Sequence, residues 1–212
     1  MAEKRRGLVA PNDPILLRIA RSIPHDKISA KETSEIIEKL LNIAYGEQKD
    51  RTRPILVGLA APQAGISKRI ILVDVGADGH GGVSDLQVFI NPRITWNSDD
   101  FIEWYEGCYS TDRVCGIVSR PDSVEITAYT PSGQVLTSRY FGYVARIFQH
   151  EIDHLNGKEF TTHIKDDDKL HWVEDDQFPK YRDREAWRNW PHKCPRSRWE
   201  KIKGGFEHSP RQ

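Results

Sequence analysis

Cysteine is scarce in this chain: Cys108, Cys115 and Cys194 are its three, unevenly spaced over 212 residues. An irregular trio makes no disulfide framework and fits a reducing compartment. Long apolar runs are missing too, and none approaches the roughly 20 residues that a membrane-spanning helix requires. The first residues, Met1-Ala2-Glu3-Lys4-Arg5-Arg6, are basic but lack the hydrophobic stretch of a secretion signal. Glu3 and the prompt start of foldable sequence argue against an organelle address, so the cytoplasm is the expected compartment. Charge of one sign is not in excess: 31 Lys and Arg balance 31 Asp and Glu. The whole chain therefore shows no nucleic-acid signature. No internal repeat is present. At 38% hydrophobic content the natural expectation is one moderate globular domain with an appendage.

What the sequence does have is His150-Glu151-Ile152-Asp153-His154. On a helix, histidines four residues apart project from one face and can grip a single divalent ion, with a glutamate carried beside it. Such a pair lets a protein activate water at neutral pH. The flanks support a helix over Tyr143–Asn156: Val144, Ile147, Phe148, Ile152 and Leu155 recur at three- or four-residue steps, and Gly157 follows where a left-handed terminal residue is expected. The plainer alternative is a pair of partnered histidines on an ordinary amphipathic helix, which a lone histidine would favour.

Two nitrogens leave a tetrahedral site incomplete. The best third ligand is Cys108, in Glu106-Gly107-Cys108-Tyr109-Ser110. Cys115 precedes the apolar Gly116-Ile117-Val118, where a small buried thiol is the ordinary explanation, and Cys194 lies in a basic, proline-flanked tail. A thiolate and two imidazoles leave one position open, the pattern of catalytic rather than structural sites.

Three segments together resemble a known family. Gly58-Leu59-Ala60-Ala61-Pro62-Gln63, Glu106-Gly107-Cys108-Tyr109-Ser110 and Gln149-His150-Glu151-Ile152-Asp153-His154 resemble, in order, the three motifs of the peptide deformylases. The likeness covers about residues 8–165. It implies a metal-dependent hydrolase that removes the formyl group from formyl-methionyl nascent polypeptides and releases formate. It further implies that Cys108, His150 and His154 hold the metal, with Fe(II) the characteristic ion and Zn(II) or Ni(II) accepted. Glu151 would be the general acid and base, Gln63 and the backbone N–H of Tyr109 would stabilise the oxyanion, and Gly58 would offer backbone groups to the peptide. Glu106 and Arg120 match positions that pair and brace the cysteine segment. Asp153 would orient a ligand histidine, pair locally or remain solvated.

The chemistry of the residue types agrees. Formamide hydrolysis needs a strong nucleophile, an electrophile for the carbonyl and a proton for the departing amine. Gln63 suits the oxyanion because an amide donates hydrogen bonds without a titrating charge.

Two departures stand out. Leu56 occupies a position where the family usually has glycine, after a polar approach, Gln48-Lys49-Asp50-Arg51-Thr52-Arg53, and Tyr109 replaces the commoner leucine. A reshaped groove is the expected consequence, which keeps an amidase of the same fold, acting on another N-formyl compound, as the alternative. A metalloprotease would draw its third ligand from downstream His or Glu, and a nucleic-acid module would leave the metal site idle.

In outline, a short helix from Pro14 to Ala20 precedes a second from a Ser29/Glu32 capping box to about Tyr45. Strands are expected over 69–75, 86–90, 94–96, 102–105, 117–118, 124–129 and 135–141, with a hairpin turn at Pro131-Ser132-Gly133. Strands without intervening helices, then one central helix, imply α+β architecture with mainly antiparallel sheet around the metal-binding helix. The expected division is a catalytic domain, 1–165, and a C-terminal extension, 166–212, in a monomer. Six acids and one lysine fill Asp166–Asp176, whereas ten Lys or Arg meet four acids from Pro179 onward. Trp172, Trp187, Trp190 and Trp199 all lie there, with Trp187 and Trp190 at helical spacing before Pro191. This tail either folds back on the domain, burying its tryptophans, or docks on ribosomal RNA.

Overall fold

The computed structural model describes residues 7–49, 55–183 and 185–205. The basic segment Met1–Arg6 and residues 50–53 of the polar approach lie outside the described residues.

Strand β2 (Ile70–Asp74) shows why the chain folds into layers. All five residues are buried, and successive side chains point to opposite faces. Ile70 and Leu72 join a cluster with Leu40 and Ala44 of helix α1 (Lys31–Lys49). Ile71 and Val73 join Ala145, Phe148, Ile152 and Leu155 of helix α2 (Gly142–Leu155). Thus β2 is sandwiched between helices. Around it lie β1 (Gly58–Ala60), β3 (Leu86–Asn97), β6 (Ser123–Tyr129) and β7 (Val135–Phe141), in the antiparallel order β1-β2-β3-β6-β7. A second antiparallel sheet has the order β4-β5-β8, from Phe101–Gly107, Val114–Pro121 and Leu170–Trp172. The architecture is the expected α+β one, with α2 central.

Several local expectations are corrected. The two strands expected at 86–90 and 94–96 are one strand, β3. It turns at Asn91 (φ 51°), whose side chain accepts from the Ile23 N–H at 2.9 Å and donates to the Ile23 carbonyl at 2.8 Å. The first helix is a single tight turn, Pro14–Leu17, capped by Asp13, because the chain is already extended at Arg18. Ser29 does not cap α1, since its hydroxyl donates to the Pro131 carbonyl; α1 continues to Lys49. Trp187 lies in a short turn, Ala186–Asn189, that ends at an extended Trp190. Strands β1 and β8 are three residues each and carry too little pattern to be read from sequence.

The tail folds back. Residues Val114 and Val118 of β5 pack against Trp172, Cys194 and Trp199. On the other face of that strand, Cys115 and Ile117 pack against Val173, Phe178, Tyr181 and Trp190. Helices α3 (Phe178–Tyr181) and α4 (Arg196–Lys203) therefore grip β5 from both sides. Trp172, Trp190 and Trp199 are buried, as the fold-back reading expects. No helix among the described residues is long and apolar enough to cross a membrane.

Candidate metal centre and active site

Helix α2 presents its apolar stripe to the β2 layer, turns His150 and His154 toward the Cys108 segment that follows β4, and sets Glu151 against Gly58 of β1. Its end is fixed by Gly157, at φ 68°, where an added Cβ would stand 2.7 Å from the Leu17 carbonyl oxygen. From β4 the chain reaches Cys108 and then a short turn, Tyr109–Thr111, in which the Ser110 N–H donates to Cys108 Sγ at 3.4 Å. These two segments bring the sulfur of Cys108 3.2 Å from His154 Nε2. One ligating atom from each of Cys108, His150 and His154 lies within 4.8 Å of the others.

The electrostatics of the cluster are self-consistent. Burial opposes a charged Cys108, but the imidazoles of His154 and His150 outweigh it and hold the thiol well below its usual range. Burial likewise opposes charge on the histidines, yet the Cys108 thiolate raises both. Burial opposes charge on Glu151 as well, and there it prevails: the carboxyl is pushed up to about 7. Among the described residues, Glu151 Oε2 and His154 Nδ1 are buried with no hydrogen-bond partner. Buried polar atoms need partners, and the orphaned Glu151 Oε2 beside a thiolate and two imidazoles fits a site for a divalent ion of intermediate softness and its water.

Gln63 is aimed at the same point. The Ala60 N–H donates to Gln63 Oε1 at 2.8 Å, which fixes the orientation of the amide. Its Nε2 then donates to Cys108 Sγ at 3.3 Å and to Ser110 Oγ at 3.2 Å. Gly58 approaches from β1, and an added Cβ there would stand 2.5 Å from Glu151 Oε1. Leu56 is buried in the core beside α1, and the partly buried Tyr109 packs against the same cluster. Both also line the cleft that opens beside Cys108.

Behind the Cys108, His150 and His154 cluster lies a buried ionic knot. His150 Nδ1 meets Glu106 Oε2 at 2.9 Å, which leaves Nε2 for the site. Arg120 donates to both Glu106 oxygens, at 2.6 and 3.0 Å, and to Asp153 Oδ2 at 2.8 Å. Asp153 also pairs with His163 at 2.8 Å, so of its three expected roles local pairing is the one the structure shows. Burial disfavours the Glu106 carboxylate, but Arg120 and His150 hold it well below the usual carboxylate range.

Sequence reasoning missed Arg146, whose Nη1 donates to Glu106 Oε1 at 2.8 Å and to the Val118 carbonyl at 2.9 Å. One signal was available: Arg146 precedes His150 by one helical turn, so a cation shares its inward face. Asp175, Phe178 and Arg182 of the tail were also missed as cleft residues.

Comparison with known proteins agrees with this geometry. A family model described as polypeptide deformylase matches residues 6–170. The chain is 37% identical over 166 residues to Peptide deformylase 2 of Bacillus cereus, covering 75% of this chain and 89% of that one. It is 28% identical, with a TM-score of 0.67, to the class I type b peptide deformylase of Acinetobacter baumannii bound to Met-Ala-Ser, covering 74% of this chain and 96% of that one. A probable peptide deformylase of Synechococcus phage S-SSM7 is 34% identical, with a TM-score of 0.62, over 74% of this chain and 98% of that one.

Proposed function

The chain belongs to the polypeptide deformylase family, and we propose that Cys108, His150, His154 and Glu151 are the centre at which it works. It is a deformylase enzyme that removes the N-terminal formyl group from nascent peptides. The observation that carries the site assignment is the convergence of one sulfur and two imidazoles beside a buried glutamate.

Cys108, His150 and His154 would hold one divalent ion, with Fe(II) preferred over Zn(II) or Ni(II), as the family resemblance implies. An ion held by these three residues would supply Lewis acidity toward the formyl carbonyl and lower the pKa of water enough for attack at neutral pH. Glu151 takes the proton from the attacking water and delivers it to the peptide nitrogen as the carbon–nitrogen bond breaks, leaving formate and a free amine. Its raised pKa suits both transfers. Gln63 Nε2 and the Tyr109 backbone N–H donate to the oxygen that becomes negative. Gly58, lacking a side chain, lets the peptide approach the β1 backbone and Glu151 together. Glu106 orients His150, and Arg120 and Arg146 keep Glu106 charged.

The catalytic part is residues 1–165 in this reading and 166–212 is an extension, whose described residues pack upon it. Cys108, Cys115 and Cys194 form no disulfide, which fits a reducing compartment and supports the cytoplasm; a monomer remains the expected state. Docking on ribosomal RNA would have to rest on the tail's exposed cations, since Trp172, Trp190 and Trp199 are buried. The test is formate release from formyl-Met-Ala-Ser by metal-loaded protein. Activity lost in Glu151→Ala supports the assignment; activity kept in that variant removes Glu151 from the reaction.

A further inference from the structure

The cleft beside Cys108 has a second end. Near the ligands it is bounded by Gly58, Cys108 and His150, and further along by Tyr105, Phe178 and Arg182 in a cavity of about 120 Å³. Phe178 and Arg182 lie beyond residue 170, where the family match stops. Phe178 is buried among Tyr105, Cys115, Ile117 and Tyr181. Its ring lies 3.7 Å from where a Cβ of Gly107 would sit, one residue before Cys108. The Arg182 N–H donates to the Phe178 carbonyl at 2.9 Å, so the two side chains belong to one rigid turn. The Arg182 guanidinium reaches across the cleft, with Nη1 3.2 Å from a Cβ built at Gly81 and Ile55 Cδ1 3.9 Å from the same point. Its Nε is buried with no hydrogen-bond partner among the described residues.

We propose that the extension supplies a wall of the substrate cleft, with Phe178 and Arg182 as specificity-determining residues for the side chain of the formylated residue. This rests on the deformylase reading of the site. A formyl carbon held beside Cys108 sends the adjacent side chain into this cavity, between the aliphatic Ile55, Val57 and Ile147 and the Phe178 ring. An unbranched apolar chain such as methionine fills such a slot well, because its thioether adapts and packs against aromatic rings. The open Arg182 Nε adds one donor. A side chain ending in an acceptor, such as glutamine, would satisfy it, and an unmet buried donor is costly.

The test measures kcat and KM for formyl-Met-Ala-Ser, formyl-Gln-Ala-Ser and formyl-Phe-Ala-Ser with the full-length, metal-loaded enzyme. Phe178→Ala should raise KM for the methionine peptide about tenfold, hold kcat within about twofold and admit the phenylalanine peptide more readily. Phe178→Leu serves if the alanine variant fails to fold. Arg182→Leu should lower kcat/KM for the glutamine peptide about tenfold more than for the methionine peptide. Trp199→Leu loosens the same tail away from the cleft and should leave the ranking of the three peptides unchanged. Wild-type enzyme active with unaltered rankings in the Phe178 and Arg182 variants overturns the proposal, as does Trp199→Leu reproducing their changes. Wild-type enzyme inactive on all three peptides overturns the deformylase reading instead.

Discussion

Gly58 and Glu151 are in contact through the absence of a side chain: a Cβ on Gly58 would lie 2.5 Å from Glu151 Oε1 and 2.8 Å from Ile147 Cγ2. The first motif and helix α2 are thus fitted to each other at the carboxylate proposed to move the proton. Gly58→Ala must push Glu151 aside or lift β1 away from α2. A misplacement of about 1 Å costs on the order of 100-fold in rate. The expected result is that loss in kcat/KM with the bound metal retained, measured by formate release and elemental analysis. Activity within twofold of wild type would show that the contact is slack.

Glu106 gathers Arg120, Arg146 and His150 on one buried carboxylate. Glu106→Gln leaves the buried Arg146 without a carboxylate and Arg120 with Asp153 alone, and breaking such a buried pair costs roughly 3–5 kcal/mol. It also loosens the hold on the His150 ring, for which a 10–100-fold loss of metal affinity is typical. Denaturant unfolding and metal titration together check this. A variant with wild-type stability and affinity would demote the knot to a bystander.

His171 of β8 predicts an acid limit on stability. Burial and the nearby Lys193 lower its pKa to about 4, from an ordinary value of 6.5. The unfolded chain therefore binds a proton at higher pH than the folded one does, and stability falls as pH drops from about 6.5 toward 4. Its Nδ1 lies 2.7 Å from the Tyr181 hydroxyl, so protonation strains the seam that holds the tail. Thermal melts of wild type and His171→Gln across this range should converge as the pH falls. A constant gap between them would mean that His171 does not titrate against folding.

The parts of this fold that sequence made legible are those with local causes. Helix α2 shows because Val144, Phe148, Ile152 and Leu155 keep helical spacing and Gly157 closes it. The Cys108, His150 and His154 cluster is readable because HExxH and the Cys108 segment are each contiguous. Arg146 was not readable, although it shares the inward face of α2, because a buried cation makes sense only once Glu106 is known to face it. Strand β1, only Gly58-Leu59-Ala60, gains its identity from pairing with β2. The role of Phe178 at the cleft was hidden for the same reason: nothing local to Asp175–Tyr181 shows that β5 carries that segment beside Gly107.

Metal stoichiometry tests the central assignment most directly. Elemental analysis of anaerobically purified protein should find one divalent ion per chain in wild type and essentially none in Cys108→Ala. Chelation of the wild type should abolish formate release, and adding back Fe(II) or Ni(II) should restore it. A full complement of metal in Cys108→Ala, or undiminished formate release from chelated protein, would contradict the account.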